Sequence, residues 1–118
     1  MFVHLRLHTE FSVVDGTTRV DDMVAAAARD GQPALAITDL SNLFGAIKFY
    51  KAARGKGVKP IIGAEVLLAG RDADNDLPSR VLLLAASHQG YLNLSELLAR
   101  AWTQGSVKAQ ATERVDWR

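Results

Sequence analysis

Apolar and polar positions change over in short blocks along the chain, and the period within each block predicts an element. Residues 2–7 (Phe-Val-His-Leu-Arg-Leu) mix β-branched and large apolar side chains and give way to polar His8-Thr9-Glu10, which predicts a first strand. Asp15-Gly16-Thr17-Thr18 is turn chemistry, and Thr17 or Thr18 is placed to cap a following helix. Val20, Met23, Val24, Ala27 and Ala28 recur at i, i+3, i+4, i+7 and i+8, one face of that helix. Asp21 and Asp22 fall in its first turn, where the macrodipole favours acid. Gly31 fits a left-handed C-cap, and Pro33 blocks continuation.

Residues 34–38 form a short apolar run stopped by Asp39, the pattern of a strand covered on both faces. Asn42 opens a second helical stretch through Phe44, Ile47, Lys48 and Lys51, closed by Gly55 and Gly57. Lys59-Pro60 leads into residues 61–68, a third strand with one acidic residue, Glu65, inside it. Residues 70–79 carry Asp72, Asp74, Asn75, Asp76 and Pro78 and read as a solvated loop, before a fourth apolar strand at 80–86. Asn93 precedes Leu94, Leu97, Leu98 and Ala101, an amphipathic third helix, and from Thr103 a polar, aperiodic stretch predicts a loosely held tail. Strands alternating with helices predict an α/β chain with a parallel sheet, either open or part of a barrel.

The chain has 118 residues, 48% of them hydrophobic, which fits one small globular domain. Fourteen Lys and Arg against thirteen Asp and Glu leave a net charge of +1 and no broad attraction for nucleic acid. The absence of cysteine excludes a disulfide scaffold and a thiolate zinc site and fits a reducing compartment. The apolar runs are too short for a bilayer, and the N-terminus carries charge and His where a signal peptide needs an apolar stretch, so a cytoplasmic location is expected.

Reactive groups of parallel α/β folds gather at the carboxyl ends of strands, which here collects His8 with Thr9, Asp39, and Asp15 from the first loop. Glu65 inside an apolar strand requires a cation or a donor beside it. His4, Arg6 and His8 share one face of an ideal first strand, but His4 and His8 are then ~13 Å apart, too far for one metal. Arg6 between them has no lone pair to offer. A hydrogen-bonded strand histidine therefore outweighs a ligand, and His88 reads as a surface turn residue. Gly55-Lys56-Gly57 lacks the rest of a phosphate loop, and no nucleophile elbow is present. Lys48, Lys51, Arg54, Lys56 and Lys59 form a basic cluster; a solvated helix face outweighs a phosphate or DNA contact there.

Residues 2–16 resemble the opening of the PHP (polymerase and histidinol phosphatase) domain, most closely that at the N-terminus of bacterial replicative DNA polymerase III alpha subunits. Residues 34–45, 57–65, and 80–85 with 90–94 resemble its second, third and fourth motifs, in order. The resemblance implies that residues 1–118 are the N-terminal portion of a distorted TIM-like β/α barrel, with parallel strands alternating with helices. The parent would be a DNA-directed DNA polymerase, a nucleotidyltransferase of DNA replication using Mg2+ at a site outside this segment. Implied partners are a proofreading exonuclease (epsilon) subunit, a sliding clamp and primer-template DNA. Metal-binding members use a His-x-His pair, a loop aspartate, a His after Thr-Asp, a strand glutamate and a later His. This chain keeps His8, Asp15 and Glu65 but has Arg6, Leu40 and Arg80 at three of those positions. The resemblance thus implies a degenerate site with no cofactor of its own, in which Arg6 and Arg80 take over the charge of lost metals and the segment acts as scaffold and docking surface. A working metal-dependent phosphoesterase, a proofreading 3'-5' exonuclease or a small phosphatase, is the alternative, and the three replacements argue against it because water activation needs a filled metal shell. A free-standing module holding phosphates on the helix-two lysines is a third reading. Part of a barrel leaves an open strand edge and uncovered apolar faces, so the isolated segment is expected to be marginally stable or to self-associate.

Overall fold

The computed structural model describes residues 1–68, 77–104 and 114–115. Its elements run α1 (Val20–Arg29), β1 (Ala34–Ile37), α2 (Ala46–Gly55), β2 (Lys59–Leu68), β3 (Ser79–Leu84), α3 (His88–Gln104) and β4 (Arg114–Val115). β2 is the axis of the sheet. Its first half pairs in parallel with β1, from Ala34↔Lys59 to Ile37↔Ile62, the pairing that a helical crossover such as α2 allows. An isolated parallel bridge between Leu40 and Glu65 carries the contact past the end of β1. β3 runs antiparallel to β2, from Gly63↔Leu84 to Leu68↔Ser79, which corrects the expectation of a wholly parallel sheet. Residues 69–78 are too few for a usual helical crossover, so the chain returns antiparallel. β4 pairs in parallel with the end of β2 at Leu67 and Leu68. Most of the loop expected at 70–79, and most of the tail expected beyond Thr103, lie outside the described residues.

The N-terminal segment is not a regular strand. Ala36 N–H donates to the His4 carbonyl (3.0 Å) and Thr38 N–H to the Leu7 carbonyl (2.9 Å). The donors are two residues apart and the acceptors three, so one extra residue breaks the ladder. Leu7 N–H turns instead to Thr38 Oγ1 (2.8 Å). An extended segment thus lies along β1 with its side-chain alternation reset.

Helix boundaries also shift from those expected. The N-cap of α1 is Arg19, without a side-chain cap, rather than Thr17 or Thr18; the Thr18 carbonyl accepts Glu10 N–H (2.8 Å). Its other end is as the sequence demands: Gly31 has φ +70°, and Gln32 N–H and Gly31 N–H return to Ala27 and Ala28 carbonyls. α2 begins at Ala46 rather than Asn42, whose Oδ1 accepts Phe44 N–H (3.1 Å) and whose Nδ2 donates to the Phe11 carbonyl (2.8 Å). Asn42 therefore shapes the turn before the helix. α3 begins at His88, where Ser87 Oγ accepts Gly90 N–H (3.1 Å), so His88 opens a helix and is not a turn residue.

Two apolar clusters hold these elements. One joins Val20, Val24 and Ala27 of α1, Leu35 and Ile37 of β1, and Phe49 and Ala53 of α2. The other sets Ala64 and Val66 of β2 against Leu94 and Leu98 of α3. Strand alternation then turns Glu65, between Ala64 and Val66, to the opposite face of the sheet. The buried stripe of α2 is Ala46, Phe49 and Ala53, whereas Phe44 and Ile47 are exposed. Phe49→Ala should therefore cost about 3–5 kcal/mol of unfolding free energy, while Phe44→Ala should stay within about 0.5 kcal/mol. Urea unfolding of both variants checks the helical phase directly.

Candidate functional site

The carboxyl ends of β1 and β2 and the loop after the N-terminal segment meet at one rim. That loop is folded tightly on itself. Ser12 N–H donates to the Thr9 carbonyl (2.9 Å), and Asp15 and Gly16 N–H groups return to the Ser12 carbonyl (3.2 and 2.8 Å). Gly16 is required there, since a Cβ at this position would fall 1.8 Å from the Thr9 carbonyl oxygen. This close approach brings Asp15 back beside His8.

Thr9 and Asp39, both fully buried, lock the loop to the end of β1. Asp39 Oδ1 accepts Thr9 N–H (2.5 Å) and Oδ2 accepts Thr9 Oγ1–H (2.7 Å). Burial pushes the Asp39 carboxyl up, and the Thr9 hydrogen bonds and the nearby His8 offset only part of that rise. Asp39 is thus committed to holding Thr9.

Glu65 is the centre of the remaining set. Its side chain is 6% exposed and takes a two-pronged contact from Arg6, Nε to Oε1 (3.1 Å) and Nη2 to Oε2 (3.3 Å). His8 lies between two carboxylates, with Nδ1 2.8 Å from Asp15 Oδ2 and Nε2 on Glu65 Oε2. Ser12 Oγ–H donates to Asp15 Oδ1 (2.7 Å) and its oxygen accepts Leu40 N–H (3.2 Å). Arg80 Nη1 stands 3.8 Å from Asp15 and 3.9 Å from Glu65, a longer-range countercharge. Partial burial pushes the Asp15 carboxyl up, but the Ser12 hydrogen bond, the His8 hydrogen bond and charge, and Arg80 outweigh it and hold it below its ordinary 3.8.

The structure thus gathers Arg6, His8, Asp15, Glu65 and Arg80 around one point. Leu40 is buried beside them, its backbone bridged to Glu65. Both His8 nitrogens are spent on carboxylates, and both Glu65 oxygens are held by the Arg6 fork. Among the described residues no group of His, Cys, Asp or Glu is arranged to hold a cation. Ser12 was not singled out from the sequence, although Ser12-x-x-Asp15 is the spacing of a side-chain-closed turn. His4 takes no part: it is exposed and packs edge-on against Phe2.

The basic cluster lies apart from this rim. Lys48 pairs with Glu10 (3.3 Å) and lies 4.0 Å from Asp21. Lys51 and Arg54 point along the outer side of α2, and Lys59 opens β2 at the end away from Glu65.

Comparisons with known proteins agree with this architecture. The family profile described as the PHP domain matches residues 4–118. A DNA polymerase III subunit alpha from Pseudomonas aeruginosa is 51% identical over 116 residues, 98% of this chain and 10% of that protein. The subunit of the same name from Escherichia coli is 42% identical over the same share of each. The chain therefore spans about a tenth of the length of these relatives. The crystal structure of an amidohydrolase from Chromobacterium violaceum superposes with a TM-score of 0.55 at 21% identity, covering 87% of this chain and 36% of that one, and shares the fold.

The lowered Asp15 pKa carries a signed consequence. Its contribution to stability is complete above pH 3.8 and is lost as the pH falls through its folded value. Asp39, raised, acts in the opposite sense: its carboxylate becomes a cost as the pH rises through its folded value above 3.8. Asp15→Asn should flatten the loss of stability below pH 3.8, and Asp39→Asn should not; urea midpoints across an acid pH series measure both.

Proposed function

The chain belongs to the PHP domain family, and on that premise we propose that it is the N-terminal segment of the alpha subunit of a bacterial replicative DNA polymerase III. In this reading it opens a TIM-like barrel whose metal centre has become a structural ion network, and it serves as scaffold and docking surface. Nucleotidyl transfer belongs to the rest of the polypeptide, with Mg2+ at that distant site. The proofreading exonuclease subunit, the sliding clamp and primer-template DNA are the proposed partners of the whole.

One observation supports the inert-site reading: the Arg6 guanidinium grips both carboxylate oxygens of Glu65. A guanidinium supplies positive charge and geometry but neither a Lewis acid nor a bound water to ionise. Keeping two carboxylates together without any cation would be strongly unfavourable, so the arginines and His8 preserve the rim's shape after its chemistry is gone. A working phosphoesterase remains the second reading because His8, Asp15 and Glu65 stand together, and it requires the Arg6 and His8 contacts to open.

The intact polypeptide, assayed with Mn2+ or Zn2+ and without deoxynucleotides, should release no phosphate from phosphomonoesters and no nucleotides from single-stranded DNA. Chelator-sensitive hydrolysis would contradict the proposal. Arg6→His, Leu40→His and Arg80→His combined should increase metal binding over the parent, measured by calorimetry. The isolated segment has a further expected behaviour. β3 exposes Leu82 and Leu84, and among the described residues its outer edge is unpaired. Sedimentation velocity should therefore show concentration-dependent association.

A further inference from the structure

The end of the sheet opposite the rim carries a concentration of charge that neither the rim nor the core uses. Residues 40–64 hold five Lys and Arg and no Asp or Glu. Lys48 leaves that set by pairing with Glu10 and Asp21. Lys51, Arg54, Lys56 and Lys59 are exposed and have no carboxylate partner among the described residues. Apart from these four, ten Lys and Arg face thirteen Asp and Glu, so a local positive excess sits on a net acidic remainder. The last carbonyls of α2 amount to about half a negative charge, which accounts for one cation there and not for four. Arg54 and Lys59 line an open notch of about 260 Å³ with Pro33, Gly57, Val58 and Pro60, none of them acidic. Gly57 has φ +74°, and a Cβ there would meet nothing within 4 Å, so the turn leaves room above it. From this we propose that the end of α2 and the start of β2 hold the phosphate backbone of single-stranded nucleic acid without reading its sequence. The inference gives the nucleic acid proposed above a contact on this segment, and in that respect it rests on the polymerase reading.

Spacing and neighbours fit that ligand. Lys51 and Arg54 stand at i and i+3 on one helix face, ~4.5 Å apart along the axis, close to the ~3.4 Å step between phosphates of one strand. Lys56 and Lys59 continue the series past the helix end. The Arg54 guanidinium lies over the half-exposed Tyr50 ring, 5.8 Å from its centroid. An aromatic set among cations is the combination on which single strands stack their bases. The backbone donors of the turn are spent: Lys56 N–H returns to Ala52 and Ala53, Gly57 N–H to Arg54, and Lys59 N–H to Pro33. Binding must therefore come from side-chain charge, which is indifferent to sequence and sensitive to salt. Asp30, which ends α1 on the same side of the sheet, accepts Gln32 Nε2–H (2.9 Å) and follows Arg29. The residue pattern alone favours a solvated helix face here. The withdrawal of Lys48, the unpaired state of the other four among the described residues and the notch between helix and strand weigh the other way.

Lysine acylation of the intact polypeptide, mapped by mass spectrometry with and without excess oligothymidylate, tests the proposal. Lys51, Lys56 and Lys59 should be protected by the oligonucleotide, and Lys48, already paired, should not change. In K51Q/R54Q/K56Q/K59Q the slope of log affinity against log salt, read by fluorescence anisotropy with the same oligonucleotide, should flatten by about 2–3. Tyr50→Ser should weaken binding by at least about fivefold. All the substituted side chains are exposed, so both variants should keep the parent circular dichroism and melting temperature. Three results would overturn the proposal: the three lysines acylated equally with and without oligonucleotide, a salt slope unmoved in the quadruple variant, or equal protection by tripolyphosphate or phosphatidylserine vesicles at the same phosphate concentration. Failure of the intact polypeptide to extend a primer would refute the polymerase reading and leave the protection result standing, so the two failures are separable.

Discussion

A carboxylate in the middle of a buried strand sets the terms for everything around it. Glu65 sits between Ala64 and Val66, both fixed in the α3 cluster, so β2 cannot rotate it into water. It must therefore be met by donors from elsewhere, and those donors are Arg6 and His8, nearly sixty residues earlier in the chain. The N-terminal segment is held along β1 by two backbone hydrogen bonds and the Leu7–Thr38 Oγ1 contacts, and at its end by the Thr9–Asp39 clamp. The ion contacts at Glu65 supply much of what fixes its position. An unpaired buried charge would be far more costly than the pair is stabilising, which makes Arg6 and His8 necessary even though a surface-facing arginine usually contributes little.

The same rim shows how loops are locked where a sheet ends. Thr9 closes on Asp39, Ser12 closes on Asp15 and on the Leu40 backbone, and Asn42 closes on Phe11 and Leu40. Each is a short polar side chain satisfying backbone groups that no strand or helix can use. The result is a rigid, charged surface in which every acid already has a partner. Rigidity of that kind suits a scaffold.

Much of this was legible in the residues before the coordinates. The spacing of Val20, Met23, Val24 and Ala27 fixed the buried face of α1, and Gly31 marked its end, because both signals are local. The need of Glu65 for a cation was legible from its apolar neighbours, and Arg6 was identified through resemblance to a family pattern. What failed were the features set by tertiary context. The start of α2 lies four residues later than expected because Asn42 closes a turn before the helix. The direction of β3 depended on the length of a connection rather than on any periodicity. The extra residue between His4 and Leu7, which breaks the regular pairing of the N-terminal segment with β1, leaves no trace in a pattern of apolar and polar positions.

The claim that a guanidinium has structurally replaced a cation is tested most directly by a double-mutant cycle on Arg6→Met and Glu65→Gln, followed by urea unfolding. The account predicts that each single change is destabilising, that the double variant loses less than their sum, and that the coupling is about 1–3 kcal/mol. Additive losses, with no coupling between the two positions, would mean that the Arg6 contact is incidental and that the rim owes its shape to something else.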